Sequence, residues 1–465
     1  MKLKRGVLFF IINLALSWIL GDYGTGLAMD KLIQSGDKLT FGMNIRLRYE
    51  HLENFNMKSY GENPARGESN DGFLLNRMQA GFDYYPTENI HMALWVQNSK
   101  SFDLAFEDND FFNSQFDRVH SPYDDYWEPY NTYLEIKQLF SQPLGIKVGR
   151  QKIAYGDNRV FGPGNWSNTG KWAWDAAKLS YKFKCGFVDA YYGKTKIHDP
   201  DDLSITHNHG FESLGFYSRF ELPERFLKVA FEPFFMTQEN PHDRYTGEDG
   251  FLGELDSYYG GIRVFKHDLK GFDFDLTYVR QDGDYSRDDI DAYGYHLLGG
   301  YRFKQHGFKP RLSAEYTYAS GDSDPNDGQH ETFEGAFGSR AKPYGRMCLF
   351  HWKNLKDAQI NLEVKPKKWL YFKAEYHQFW LAEEKDAWYL NPRAYRDRTG
   401  SSGDKVGREF DLVVRLKLPK GNELQAGYGH FWPDEFAEKL ASDKEANWVF
   451  LQWMFKFRSS PLKGP

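Results

Sequence analysis

The stretch from 149 to 175, GRQKIAYGDNRVFGPGNWSNTGKWAWD, gathers Arg150, Lys152, Asp157 and Arg159 among glycines, asparagines and aromatics. Guanidinium groups grip carboxylates through two parallel hydrogen bonds, so arginines along a wet passage suit the movement of acidic solutes. Arg46, Arg48, Arg77, Arg263 and Arg415 join this set if their side chains share one enclosed face. Acids are interleaved with them: Glu50, Asp83, Glu135, Asp273, Asp275, Glu315, Glu375 and Asp411 have the same expected orientation. The competing role for any one arginine is an ion pair across neighbouring strands that stiffens a wall.

Other constellations point to chemistry less sharply. In GDSDPNDG, residues 321–328, Asp322, Asp324, Asn326 and Asp327 approach calcium-loop spacing. Gly328 falls one place late for the turn glycine of an EF-hand, however, and no glutamate stands at the twelfth position. An acidic external loop that meets lipopolysaccharide through shared cations is the simpler expectation. His207 and His209 share a polar loop with acids, but nothing there fixes a tetrahedral metal geometry. No G-x-S-x-G elbow, H-E-x-x-H helix or phosphate-cradling glycine loop occurs. His91, His296 and His377 are expected on the enclosed face, which keeps a hydrolase with its active site on the wall as an alternative. No cofactor or metal is expected.

All of this depends on strands that sort side chains into two faces. Aromatics make up 18% of the 465 residues while all hydrophobic types reach only 41%, and 43 glycines are present. That composition suits alternating strands with one apolar side, not a buried parallel sheet or a helical bundle. Eighteen period-two segments can be drawn, among them 40–52, 129–140, 226–238, 347–365 and 447–457, each long enough to cross a bilayer as a tilted strand. In the last of these Val449, Leu451, Trp453, Phe455 and Phe457 form a greasy face, opposite Gln452 and Lys456. The connections are expected to alternate strictly between short turns, such as 86–88 and 418–421, and long polar loops, including 53–72, 101–128, 156–173, 239–254, 321–346 and 382–406. Tight periplasmic turns and long external loops characterise outer-membrane barrels, whereas a soluble sandwich has no reason to sort its loops by parity. The fold expected is therefore all-β, a transmembrane antiparallel barrel whose lipid-facing sides are the apolar ones.

Lys2, Lys4 and Arg5 precede an apolar run from Gly6 to Leu20, with the small residues Gly26 and Ala28 near a cleavage position. Residues 1–28 are expected to be a signal peptide and 29–465 a single barrel domain. The formal charge of −6 offers no footprint for nucleic acid. Cys185 and Cys348 fall at distant points of the strand layout and are not expected to pair. The 149–175 segment is too rich in Gly, Asn and aromatics for an external loop and is expected to fold inward. Arg150 shares parity with Ile146 and Val148, so a bulge near Gly149 or a position above the hydrocarbon must spare its guanidinium from lipid.

The run GRQ…YGDNR…GP.NWSNTG, with a strand opening on Asp175, resembles the alginate-export family of outer-membrane β-barrel porins. YASGDSDPNDG…TFEGAFGS (318–339), HQFWLAEEKDAWY (377–389), GREFDL (407–412) and GYGHFWPDEF (427–436) extend the resemblance over most of the chain. It implies an eighteen-stranded monomeric barrel with an arginine-lined constriction that passes an anionic polysaccharide or small solutes. Arg150, Asp157 and Arg159 match the family motif, and Arg46 and Arg77 match arginines of its first two strands. The partners implied are outer-membrane lipid and lipopolysaccharide. A passive pore leaves the direction of flux to concentration gradients and to periplasmic partners.

Overall fold

The computed structural model describes residues 38–463 apart from 56–69, 106–111, 114–117, 120, 202, 204–208, 341 and 391–393. The expected leader, Asp108, Asp110, Asp202 and His207 lie outside the described residues. Eighteen long strands run in chain order. The first nine are β1 (Lys38–Glu53), β2 (Asp71–Tyr85), β3 (Ile90–Phe102), β4 (Asp125–Ile136), β5 (Leu144–Lys152), β6 (Ala173–Phe183), β7 (Gly186–Lys196), β8 (His209–Glu221) and β9 (Ala230–Thr246). The second nine are β10 (Leu252–Leu269), β11 (Phe272–Tyr285), β12 (Asp288–Arg302), β13 (Arg311–Ala319), β14 (Leu355–Lys367), β15 (Leu370–Trp380), β16 (Lys405–Lys417), β17 (Asn422–Pro433) and β18 (Ala446–Arg458). Each pairs antiparallel with the next, and β18 returns to β1 from Gly42↔Arg458 to Glu53↔Asn447, so the sheet closes and leaves no edge.

Alternation along β18 shows which side is which. Val449 and Leu451 are 44% and 56% exposed on the outside, while Trp448 and Phe450 point inward against Trp166 of an internal loop. At the closing seam Ile45↔Phe455 and Leu47↔Trp453 stack as a small apolar cluster with Met43, Leu424 and Phe457. Among the described residues no helix is long and apolar enough to cross a membrane.

Every expected strand has a counterpart, and the displacements have local causes. The segment placed at 129–140 is Asp125–Ile136, because Leu139 N–H closes on Leu144 O and Phe140 and Ser141 take left-handed φ in the turn. The one placed at 226–238 starts at Ala230, after a 3-10 turn at Glu224–Phe226 and left-handed Leu227 and Lys228. The one placed at 347–365 starts at Leu355; Met347, Leu349, Phe350 and Trp352 are buried inside the barrel and do not meet lipid.

Strict loop alternation is corrected. The inner connections are all short, but on the outer side 247–251 and 286–287 are tight turns. Strands β9 to β12 simply continue upward, so most of the polar stretch 239–254 is strand. A polar sequence beyond the hydrocarbon remains compatible with β-pairing, because water and not lipid then solvates both faces.

Candidate permeation pathway

Two outer connections turn back into the barrel. The first, 153–172, follows β5; the second, 320–354, follows β13. They are zipped together in the lumen: Gly162 N–H donates to Phe337 O (3.0 Å), Ser339 N–H to Asn158 O (2.8 Å) and Trp172 Nε1–H to Gly338 O (3.3 Å). Trp172 and Trp174 pack edge-to-face on Phe337, and Phe161 bridges to Phe337 through the backbone.

The first loop crosses the bore. Arg46 donates to Asn165 O (2.8 Å), Trp166 O (3.1 Å), Ser167 O (3.0 Å) and Asn168 Oδ1 (2.9 Å). Arg48 donates to Trp166 O (2.8 Å), lies 3.7 Å above the Trp166 ring and pairs with Glu50 (2.7 Å). Arg77 adds a bond to Ser167 O (3.2 Å), and Ser99 and Gln97 hold Asn168 O and Thr169 O. Far around the wall, Arg159 of the same loop binds Glu315 on β13 (3.0 Å) and its own Asp157 (2.8 Å). The Arg159 guanidinium, held by Asp157, Glu315 and the Tyr344 ring, is kept above its ordinary range, and Asp157 beside it is kept below.

The remaining sequence candidates separate. Arg263 is bidentate to Asp275 (2.8 and 2.5 Å) and reaches Glu232 (2.7 Å), a cross-strand lock on the enclosed face. Arg415 lies 4.7 Å from the Tyr371 ring centre, and its Nε meets no acceptor. Arg150 is the exception to the expected lumen placement. Its partner across the register, Asp175, accepts two bonds of 2.8 Å and shares parity with the exposed Leu179 and Tyr181. Arg150 therefore sits on the outward face at the outer end of β5, in an ion group completed by His209 (2.9 Å from Asp175). Gly149 at φ 123° marks the irregularity below it; an added Cβ would meet Thr132 O at 2.5 Å.

Where the lumen is hollow, its charge is uneven. Toward the short-turn end a cavity of about 550 Å³ is lined by Asp157, Glu232, Asp273 and Asp275 with Arg219, Arg263 and Arg311. Toward the outer end a cavity of about 370 Å³ is lined by Lys171, Lys196, Arg244, Arg340 and Lys353; among the described lining residues Glu334 is the one carboxylate and is bound by Lys353, while Asp125 and Glu128 hold Lys196. Trp172, Trp352, Tyr389 and Phe211 give it aromatic walls. Burial and the facing Arg340 push the Lys171 ammonium well down. Lys342 is pushed down to about 8 by the crowded, poorly hydrated lumen around it and by the like charges of Arg346, Arg48 and Arg415. Parity could not find these cations, since Lys171, Arg340, Lys342, Arg346 and Lys353 lie on loops. The sequence signal for Arg340, Lys342 and Arg346 is the density of Lys and Arg in GSRAKPYGR; Lys171 and Lys353 stand alone beside tryptophans.

The three-residue group that could hold a metal, and the histidines expected on the enclosed face, have protein partners. Asp125, Glu128 and His198 converge, but the Lys196 ammonium already binds both carboxylates. His377 leans on Asp357 (3.0 Å) and His91 on Asp83 (2.9 Å). His296 meets Thr317 Oγ1 (3.2 Å). Among the described residues His377 Nε2 meets no hydroxyl or thiol that could serve as nucleophile.

The sequence matches the protein family described as Alginate export over residues 37–450. OccAB2 of Acinetobacter baumannii has a similar fold, with TM-score 0.57 and 13% identity over 91% of this chain and 98% of its own. OprD of Pseudomonas aeruginosa gives 0.55 and 10% over 92% and 94%, and OccK3 of the same organism gives 0.55 and 11% over 90% and 96%. No curated protein sequence matches. Eighteen strands closed on themselves, lipid-facing apolar sides and a family match across most of its length make this chain a member of the alginate export family, an outer-membrane β-barrel channel.

Proposed function

We propose that this channel passes acidic solutes, from small carboxylates to anionic polysaccharide, by passive diffusion. The observation that carries this is the outer cavity, where Lys171, Arg244 and Arg340 line the wall beside the Lys353–Glu334 pair and beside Lys196, which Asp125 and Glu128 hold. Cations fixed on a low-dielectric wall raise the local concentration of anions, and acids further along the bore limit their residence. The aromatic walls offer flat faces to sugar rings between the charges. The arginines first named from sequence act mostly as braces: Arg46, Arg48 and Arg77 hold the crossing loop, and Arg159 and Arg263 lock opposed acids. No cofactor takes part. The barrel works as a monomer in lipid and lipopolysaccharide, after export under a leader, and catalyses no reaction.

Planar-bilayer recording with a KCl gradient tests this. The reversal potential should show anion preference, and uronate oligomers added on the outer side should reduce the current. Cation preference that is unchanged in a Lys171→Met/Arg340→Met variant would overturn the acidic-solute reading. Absence of any current would favour a plugged, structural barrel, for which the internal loops supply a specific reason. Hydrolysis that depends on His377 would favour the wall-mounted enzyme, whose only support is the His377–Asp357 pair.

A further inference from the structure

We propose that a hard divalent cation, Ca²⁺ in the first place, binds between Asp322 of the internal 320–354 loop and Glu248 of the β9–β10 turn, stapling that loop to the outer rim. Asp322 is 5% exposed, and its Oδ1 meets no donor. Glu248 Oε1 is buried and equally without a donor, while its Oε2 accepts Gly328 N–H at 2.8 Å. The Gly328 hydrogen bond seats the 321–328 loop on Glu248, and the Asp322 and Glu248 carboxyl groups act on each other across that contact. Ionised carboxylates bring no hydrogen to such a contact, so a proton or a cation has to sit between them.

The surrounding charges favour the cation. Asp288 accepts Glu248 N–H at 2.8 Å, and both Asp288 and Asp327 act on Glu248; Asp386 acts on Asp322. The opposing charge is Arg396, whose Nη2 is bonded to Asp386 at 2.9 Å. One proton removes one negative charge from this group, and a divalent ion removes two. Calcium accepts irregular sets of carboxylate, carbonyl and water oxygens drawn from separate loops, as this place offers. The 321–328 spacing falls short of an EF-hand, and the second carboxylate of this site comes from a different turn instead.

The full chain, refolded in detergent without lipopolysaccharide and stripped with EDTA, is titrated with Ca²⁺ by calorimetry. One equivalent should bind the wild type. D322N and E248Q should each weaken it by roughly tenfold or more, as expected for losing a carboxylate ligand. D201N, which alters an exposed loop acid, should not weaken it. Heat-modifiable gel migration establishes that each near-isosteric variant is folded. Equal Ca²⁺ uptake by the wild type and the folded D322N/E248Q double variant overturns the proposal and assigns the gap to a shared proton.

Discussion

Replacing Arg46 separates two roles that a lumen arginine can have. Its guanidinium gives four hydrogen bonds of 2.8 to 3.1 Å to residues 165–168 and is 3% exposed, so no face remains for a passing solute. Removing one partner of such a buried charged network costs about 3–5 kcal/mol. Arg48, Arg77, Gln97 and Ser99 still hold the loop, so folding should survive. At about 1.4 kcal/mol per tenfold, the loss raises the fraction of time the crossing loop is detached from the β1–β2 wall by roughly a hundredfold or more. Single-channel recording of Arg46→Ala should show a larger mean conductance with added gating noise and little change in anion preference. Arg46→Lys keeps the charge, but one ammonium cannot serve four acceptors arranged around a planar fork, so it should resemble the alanine variant. If Arg46→Ala instead has wild-type conductance and noise but loses anion preference, and Arg46→Lys restores it, the bracing argument is wrong and Arg46 meets the solute.

Further outcomes follow from individual contacts. Gly338→Ala places a Cβ 1.7 Å from Arg159 O, so the two internal loops must part, and conductance should rise while the barrel stays folded. Because the Lys342 ammonium loses its proton near pH 8, anion preference should fall as pH rises from 7 to 9, and Lys342→Met should flatten that titration in reversal-potential measurements. Arg263→Ala leaves Glu232 and Asp275 facing each other without their cation and should destabilise the barrel by about 3–5 kcal/mol in urea-induced unfolding. Gly149→Ala forces a side chain into φ 123° against Thr132 O and should slow barrel assembly measured by gel shift.

Period-two patterning let the residues declare the eighteen strands and the lipid-facing side, because lipid and water impose opposite demands on alternate positions, and the Gly, Asn and aromatic content of 149–175 announced the inward turn of 153–172. The shortening of the 347–365 segment was not legible: Leu349, Phe350 and Trp352 look like a lipid-facing strand, and burial against a lumen cluster satisfies the same apolar pattern. The polar residues beyond 239 read as loop, since above the membrane a strand needs no greasy face.

What the sequence by itself determined was the closed sheet and the set of charged residues that parity turns inward, because strand geometry is local. Which of those charges are engaged was decided in three dimensions. Arg46 and Arg77 meet carbonyls from a loop far along the chain, and Arg150 leaves the lumen for Asp175 and His209. Three of the cations that line the outer cavity, Lys171, Arg340 and Lys353, come from loops with no periodicity, so their placement depends on where two long connections come to rest inside the barrel.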